Sequence, residues 1–307
     1  MFATGNVTDI TLNPQFKQNI DQLKSFSEPS IGFPPSVQWL SKMAIIFPLQ
    51  NIAFFGLGIV YFICAMVGLV KMGLSRKLGV VIVAVWMLGF FFYQGTRFVT
   101  SMRYFYPMYP YLAIAGALGV MTLVAKTKKQ YKRIVFSAIM IGILVWPLSF
   151  MTIYTRPHSR VTASAWILDN VPAKSRIATE YWDDWLPLNL PGKQSPEYEG
   201  ISVPVFDGDT PEKWVNLDEK FGKAEYYFLT SNRGYDSIMP IPNYYPRMSE
   251  YYEKLFAGET EFEKIAEFTS YPTLNLGIVE IPLNDQWSEE AFTVYDHPKI
   301  TIFKKRQ

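Results

Sequence analysis

Acidic residues are missing from a long part of this sequence. No aspartate or glutamate occurs between Glu28 and Asp169, and all but three of the 27 acids lie from Asp169 onward. Cysteine and histidine are also scarce, with one cysteine, Cys64, and two histidines, His158 and His297. A single cysteine excludes an intrachain disulfide, and this set is too small for the usual zinc sites. The net charge of +2 gives no reason to expect nucleic-acid binding.

Common motifs of nucleotide-binding proteins and hydrolases are absent as well. The sequence has no G-x-x-x-x-G-K-[ST], no G-x-G-x-x-G after a predicted strand, no G-x-S-x-G and no H-E-x-x-H. This disfavours ATP-driven transport by this chain and the common soluble hydrolases. The apolar stretches also contain no carboxylate, the kind of group that ion-coupled transporters usually carry inside the membrane.

Four stretches are long and uncharged enough to cross a bilayer, whose hydrocarbon core of about 30 Å needs about 20 helical residues. They are Ile52–Val70, Leu78–Thr96, Phe105–Ala125 and Ile134–Tyr154. The alternative is four buried helices of a soluble protein, but such helices rarely run this long without a charge. The sequence therefore predicts an all-α membrane part with four transmembrane helices.

The charges of the connections predict how these helices are oriented. Lys71–Lys77 carries three positive charges and Lys126–Arg133 carries five, whereas Arg97–Tyr104 carries two. Positively charged loops remain in the cytoplasm. We therefore expect a multi-pass protein of the plasma (inner) membrane with an extracytoplasmic juxtamembrane segment (1–46), a four-helix region (47–155) and an extracytoplasmic domain (156–307).

The pattern of the last half predicts a soluble mixed α/β domain. Helices are expected at Arg160–Val171, with Ser159 as N-cap, from Thr210 to Gly222, and at Arg247–Phe256. Strands are expected at Arg176–Thr179, Ile201–Phe206, Tyr226–Thr230, Phe262–Thr269, Leu276–Ile281 and Ile300–Lys304. The apolar run Tyr226–Thr230 is the candidate for the central strand, and Pro204 suggests an edge position for Ile201–Phe206.

Two groups of residues have chemistry beyond packing. Arg97 and Arg103 border the predicted outer surface of the membrane, where they either snorkel or hold a phosphate with their planar, permanently charged guanidinium groups. His158, at the exit of the last span, either meets a phosphate or simply marks the junction.

The second group is the stretch EYWDDWLPL, in which Trp182 and Trp185 flank Asp183 and Asp184. Aromatic rings beside carboxylates are common at sugar sites, and the alternative is a loop docked by its tryptophans with solvated aspartates. If the chain acts alone as an enzyme, Asp183 and Asp184 are the candidates for a general base. A divalent metal ion at this pair is a further hypothesis.

The run QGTRFVTSMRYFYPMYPYLAIAGALGV resembles the R-Y-x-x-P-x-Y-P-x-L-A segment of GT-C-fold glycosyltransferases that use polyprenyl-phosphate sugars. This group, which includes glycosyltransferase family 39, contains protein O-mannosyltransferases and lipid A aminoarabinose transferases. RVTASAWILDNVPAKSRIATEYWDD is similar to the segment that follows the last span in many members, and FTVYDHPKITIFKK resembles their tail. The resemblance covers the chain as the C-terminal portion of such an enzyme.

The resemblance implies transfer of a sugar from a polyprenyl phosphate carrier to a cell-envelope acceptor on the outer face. It places Arg103 first and Arg97 second at the lipid phosphate, and Tyr104, Tyr106 and Tyr109 along the lipid or sugar groove. The alternative for each tyrosine is a plain aromatic belt at the boundary between lipid and water. The family's catalytic acid, in an early outer loop, has no counterpart here, so we expect a fragment or a subunit. A non-catalytic membrane-anchored glycan- or protein-binding protein and a transporter component are the alternatives.

Overall fold

The computed structural model describes residues 13–25 and 28–306, so residues 1–12, 26 and 27 of the predicted N-terminal segment lie outside it. The α-helices are α1 Pro14–Ser25, α2 Pro34–Val37, α3 Ile46–Gln50, α4 Ile59–Gly73, α5 Leu78–Gly95, α6 Tyr109–Lys126, α7 Lys132–Met151, α8 Ser159–Asn170, α9 Pro211–Lys223, α10 Arg233–Ile238, α11 Pro246–Ala257 and α12 Glu290–Thr293. The strands are β1 Arg176–Glu180, β2 Glu199–Val203, β3 Tyr226–Leu229, β4 Phe262–Phe268, β5 Thr273–Asn275, β6 Glu280–Pro282 and β7 Ile300–Lys305. The molecule thus has a helical region followed by a separate region built on a mixed sheet.

Three helical stretches of the described chain are long and apolar enough to cross a membrane. They are Leu78–Gly95, Met102–Lys126 and Lys129–Asn170, the last containing α7. A further apolar pair, Ile46–Gly56 and Ile59–Gly73, is bent by 117°. The number of candidate spans is therefore three, or four if the bent pair counts as one.

The first predicted span, Ile52–Val70, is not a continuous helix, and the prediction was wrong on this point. Asn51–Gly56 forms a π-helical segment, and the chain turns at Gly58, whose φ of +74° is the left-handed region that glycine tolerates best. The Trp146 side chain fills the space that a Cβ of Gly58 would occupy. Its Nε1 donates to the carbonyl oxygen of Phe55 (2.9 Å), which partners a carbonyl at the break.

Helices α4 and α6 approach each other closely through small residues. A Cβ on Gly68 would overlap the backbone carbonyl of Ala115, and one on Gly119 would overlap the carbonyl of Cys64. The spacing of four between Cys64 and Gly68, and between Ala115 and Gly119, matches the small-xxx-small pattern of helix pairs in membranes.

The main sheet has the strand order β2-β1-β3-β7-β4. Strands β2, β1 and β3 are parallel, whereas β7 runs antiparallel to both of its neighbours, β3 and β4. The prediction that Tyr226–Thr230 forms the central strand is confirmed, and β2 is an edge strand that ends before Pro204.

The strand predicted at Leu276–Ile281 is wrong. Leu276–Val279 instead forms the turn of a separate hairpin made by β5 and β6. Gly277 has a φ of +81°, and its backbone N–H donates to the side chain of Asn275 (2.8 Å), so a local turn competes successfully with an extended strand.

Helices cover both faces of the main sheet. Helix α8 packs one face through Ile167, which lies among buried strand residues such as Phe228. Helices α9 and α11 pack the other face, where Tyr227 lies among the helix residues Phe221 and Leu255. Val37 of α2 joins this second core, so part of the segment before the apolar helices packs on the α/β region.

Candidate functional site

The carboxyl ends of β1 and β3 form the point where the chain changes direction across the sheet. From β1 the chain moves to β2 on one side, and from β2 it crosses to β3 on the other side. In open sheets of this kind, ligands bind in the crevice outside the carboxyl ends of the strands at such a switch point. A ligand-binding site is therefore expected among the residues that follow β1 and β3.

An open cleft of about 390 Å³ lies at the ends of β1 and β2. Three aromatic side chains around it are exposed: Tyr181 by 57%, Trp182 by 45% and Trp185 by 41%. We call residues 181–185 the tryptophan loop. The ring of Trp185 lies against Gly200, where a Cβ would be 3.0 Å from the ring, closer than an ordinary van der Waals contact. Glycine at this position of β2 therefore allows the ring to lie over the strand.

Two contacts hold Trp182 in place. Its backbone has a φ of +80°, a conformation that costs a non-glycine residue about 1–3 kcal/mol and needs support from its surroundings. Nη1 of Arg233 donates to the Trp182 carbonyl oxygen, and the Trp182 ring meets the edge of Phe33 at 6.0 Å between centroids. The tryptophan loop is therefore positioned from both sides.

Asp183 belongs to this loop, and its carboxyl group is mostly withdrawn from solvent. Burial raises the pKa of its carboxyl group, and the nearby hydroxyls of Ser231 and Thr230 together with the charges of Arg233 and Arg160 only partly offset this. Oδ2 of Asp183 has no hydrogen-bond partner among the described residues. Asp183 is thus the better placed of the two sequence candidates to accept a proton or a hydroxyl hydrogen bond.

Asp184 is in a different environment. Its side chain is exposed, and its Oδ2 lies 2.7 Å from Nη2 of Arg160 at the start of α8. Its carbonyl oxygen accepts a hydrogen bond from the Thr230 hydroxyl (2.8 Å). The exposed carboxylate agrees with the solvated aspartate that the sequence left as an alternative, whereas Asp183 does not.

Glu180, at the end of β1, is a buried carboxylate that the sequence analysis did not select. Its Oε1 accepts hydrogen bonds from the hydroxyls of Tyr227 and Tyr252, both at 2.6 Å. Burial raises the pKa of Glu180 to about 7 against the opposing effect of these two hydrogen bonds. Oε2 has no partner in the described chain and lies where a Cβ of Gly234 would be. The sequence signal that could have identified Glu180 is its position at the end of a strand, where the residues immediately before it are buried.

Two adjacent glutamates connect this site to the apolar helices. Oε1 of Glu290 lies 2.7 Å from Nε of Arg233, the residue that holds Trp182. Glu289 accepts hydrogen bonds from the Ser101 hydroxyl (2.5 Å) and from the backbone N–H of Met102 (2.6 Å). Burial raises the pKa of both Glu289 and Glu290. Ser101 and Met102 belong to the tyrosine-rich segment that leads from α5 into α6, residues 97–109, which we call the tyrosine collar. The glutamates therefore link the collar to the tryptophan loop.

The two arginines predicted to meet a phosphate are both exposed beside tyrosine rings. Arg97 lies over Tyr93 at 4.3 Å from the ring centroid. Arg103 lies over Tyr104 at 5.1 Å, and its Nη2 donates to the Tyr104 hydroxyl at 3.3 Å. Neither guanidinium pairs with a carboxylate of the described chain within 4.0 Å. Both are therefore open to an external anion.

The three collar tyrosines differ in exposure. Tyr104 and Tyr106 are exposed, whereas Tyr109 is half-buried among the apolar helices. The Tyr109 hydroxyl lies where a Cβ of Gly56 would be, and its ring meets Tyr106 edge-on at 5.8 Å. Only Tyr104 and Tyr106 present most of their rings to the surroundings of the protein.

His158 uses both ring nitrogens within the protein. Nδ1 accepts a hydrogen bond from the backbone N–H of Arg160 (3.1 Å), so the proton is on Nε2, which donates to the Tyr295 carbonyl oxygen (3.1 Å). His158, not Ser159, therefore caps α8, and the predicted cap was wrong by one residue. Ser159 is the first helical residue, and its hydroxyl donates to the Pro298 carbonyl oxygen (2.7 Å). The geometry favours the junction role of His158 that the sequence left open.

A divalent metal at Asp183 and Asp184 lacks the further ligands it needs. Residues 13–25 and 28–306 contain no group of three or more His, Cys, Asp or Glu side chains that could hold a metal ion. Asp184 is also paired with Arg160.

No protein-family model, no curated protein and no solved structure matches this chain.

Proposed function

We propose that this chain acts in the transfer of a sugar from a polyprenyl phosphate carrier to a cell-envelope acceptor at the outer face of the plasma membrane. In this proposal the apolar helices cross the bilayer and the α/β region lies outside. The observation that carries the proposal is the cleft of about 390 Å³, around which Tyr181, Trp182 and Trp185 expose their rings beside Asp183.

The cleft has the features of a saccharide site. Its volume falls within the range of about 300–1,000 Å³ that small-molecule sites occupy. Aromatic rings can cover the apolar face of a pyranose, and the carboxylate of Asp183 can accept hydrogen bonds from sugar hydroxyls. Trp182 is held by the hydrogen bond from Arg233 to its carbonyl oxygen, and the ring of Trp185 packs closely on Gly200.

The tyrosine collar supplies the second half of the proposal. Arg97 and Arg103 are exposed and unpaired with carboxylates of the described chain, which suits them to bind a phosphate at the membrane surface. A guanidinium beside the leaving phosphate would stabilise the negative charge that develops as the bond to the sugar breaks. Asp183 is the group we assign to deprotonate the acceptor hydroxyl, if the chemistry takes place on this chain.

A non-catalytic membrane-anchored glycan-binding protein is the second candidate. It is favoured by the cleft itself, because exposed aromatic rings and a carboxylate that accepts hydrogen bonds from sugar hydroxyls can bind a saccharide without catalysing a reaction. A transporter component has less support, because helices α4, α5, α6 and α7 contain no carboxylate.

A transfer and binding assay separates these candidates. The chain in lipid nanodiscs is incubated with polyprenyl phosphate that carries a radiolabelled hexose, and with a membrane extract as acceptor. Movement of label to the acceptor supports the transferase, whereas retention of the labelled lipid without transfer supports the binding protein. If the chain neither binds nor transfers any of a panel of hexoses, both candidate functions are refuted.

Variants connect the outcome to the cleft and the collar. We expect Trp182→Ala and Trp185→Ala each to weaken saccharide binding about tenfold, equivalent to about 1.4 kcal/mol. Tyr244→Ala is the matched control, since Tyr244 is an exposed aromatic residue that does not line the cleft. Arg97→Ala and Arg103→Ala should weaken binding of the phosphate-bearing lipid but not of a free hexose. Equal losses in all five variants would contradict the assignment.

A further inference from the structure

The hairpin of β5 and β6 is separate from the main sheet and attached to the last apolar helix. Strand β5 lies beside α7, and the backbone N–H of Thr273 donates to the Thr152 hydroxyl just after that helix (3.0 Å). Nη2 of Arg156 donates to the carbonyl oxygen of Tyr271 (2.5 Å). These two hydrogen bonds hold the base of the hairpin at the point where α7 ends.

The tip of this hairpin is apolar, uncharged and uncovered. Leu276 is exposed by 61%, Ile278 by 97% and Val279 by 54%, with Gly277 between them. Burial of one such side chain contributes about 1.5–3 kcal/mol, so three neighbouring exposed ones are costly in water. A contiguous apolar patch of this kind usually marks a surface that contacts a protein or a membrane.

The neighbouring surface of α7 indicates which of these covers the tip. Ile141, Leu148 and Met151 of α7 are exposed apolar residues, and α7 is the apolar part of the longest candidate span. Because β5 lies beside this helix, the tip continues the surface that the helix would present to lipid. Tyr154, exposed just after α7, suits the boundary between lipid and water.

The hairpin also satisfies most of its own polar groups. The strands pair with each other from Thr273–Pro282 to Asn275–Glu280, and the backbone N–H of Leu276 donates to the Val279 carbonyl oxygen (3.0 Å). The Glu280 carboxylate accepts a hydrogen bond from the Asn275 side chain (3.0 Å). Open strand edges do not occur deep in hydrocarbon, so a shallow position at the headgroup boundary suits a two-stranded hairpin.

We infer that Leu276–Val279 inserts into the outer leaflet of the membrane, at the boundary between headgroups and acyl chains. The inference depends on the membrane location that is part of the proposed function. The inserted tip would act as an additional anchor that keeps the α/β region close to the bilayer surface. Its partner is the lipid itself, not a second protein.

Labelling at single cysteines tests this inference. Cys64 is the chain's one cysteine, so Cys64→Ala gives a background in which Ile278→Cys, Ile141→Cys and Val215→Cys can each carry an environment-sensitive fluorophore. Ile141 lies in the middle of α7, and Val215 is exposed by 70% on α9 of the α/β region. The full chain is placed in phosphatidylcholine nanodiscs, with a nitroxide on the acyl chain or iodide in the buffer as quencher.

We expect the label at position 278 to show a blue-shifted emission, quenching by the lipid-borne nitroxide and loss of quenching by iodide. The label at 215 should show the reverse, and the label at 141 should be quenched by the nitroxide alone. A label at 278 that behaves like the one at 215, while 141 is in lipid, would overturn the hairpin inference but not the membrane location. Protection of 278 from both quenchers would indicate a protein partner and also overturn it. Access of iodide to position 141 would refute the membrane location itself, and the inference with it.

Discussion

At the scale of single residues, Glu180 illustrates how surroundings change the chemistry of a side chain. In water a glutamate is ionised at neutral pH, but burial raises the pKa of Glu180 to about 7. The two tyrosine hydroxyls on Oε1 favour the ionised form, whereas Oε2 has no described partner and favours the protonated one. Whether Glu180 carries a proton near neutral pH therefore depends on whether the chain is folded.

This pKa predicts a pH dependence of stability. Between about pH 4.5, the ordinary pKa of glutamate, and about pH 7, the unfolded chain releases a proton that the folded chain keeps. Glu180 should therefore lower the free energy of unfolding by roughly 3 kcal/mol as the pH rises through this window, and the raised pKa values of Asp183, Glu289 and Glu290 act in the same direction. Denaturant unfolding at pH 5 and pH 7.5 measures the difference.

Gln at position 180 cannot ionise, so we expect Glu180→Gln to remove the part of this difference that comes from Glu180. Glu253→Gln is the control, because Glu253 is an exposed glutamate on α11. A pH dependence that is the same in Glu180→Gln as in the unmodified chain would show that another group is responsible.

At the scale of secondary-structure elements, the crossing of α4 and α6 depends on the absence of two side chains. A Cβ at Gly68 or Gly119 would overlap the backbone of the opposite helix. We expect Gly68→Ala and Gly119→Ala each to lower the free energy of unfolding by about 1–3 kcal/mol, since neither backbone can move without disturbing the helix contact. Thermal unfolding in a mild detergent measures the loss.

Gly89→Ala is the matched control, because Gly89 lies in α5 with no atom near the position of its Cβ. The double variant Gly68→Ala/Gly119→Ala should lose less than the sum of the two single losses, since both changes separate the same pair of helices. Full additivity, or an equal loss in Gly89→Ala, would argue against a close crossing at these glycines.

At the scale of the whole molecule, the contact between the helical region and the α/β region combines packed aromatic rings, such as Phe55 against Trp287, with a few buried polar groups. Asn51 accepts a hydrogen bond from the Glu289 backbone N–H (2.7 Å) while the Glu289 carboxylate accepts two from Ser101 and Met102. Glu290 continues this connection to Arg233 and so to the tryptophan loop. A displacement of the tyrosine collar should thus be transmitted to the tryptophan loop through the consecutive residues Glu289 and Glu290.

We expect Glu289→Ala to loosen this connection. It leaves the Ser101 hydroxyl and the Met102 N–H without an acceptor, at a cost of about 1–3 kcal/mol. Hydrogen–deuterium exchange should become faster in the tyrosine collar and in the tryptophan loop, whereas Glu289→Gln, which keeps one acceptor oxygen, should have a smaller effect.

Glu250→Ala on the exposed face of α11 serves as the control for that experiment. Faster exchange confined to the collar, with the tryptophan loop unchanged, would indicate that the two glutamates act independently.

The sequence by itself determined the helical region and the α/β region, because long uncharged runs, helix caps and β-branched or aromatic strands are local signals. The central place of Tyr226–Thr230 followed from its apolar character in the same way. The exposed tryptophans also lay where the sequence placed them, beside two carboxylates.

Only the tertiary structure decided the features that depend on distant contacts. The break at Gly58 is supported by Trp146, which lies nearly ninety residues later, and the glycines of the run, Gly56 and Gly58, permit a break without requiring one. The same holds for Glu180, whose raised pKa results from burial among residues of β3 and α11, and for the turn at Gly277, where the side chain of Asn275 favours a hairpin over a strand. Composition and periodicity fix which segments are apolar, but the partners that bury a charge or bend a helix come from elsewhere in the chain.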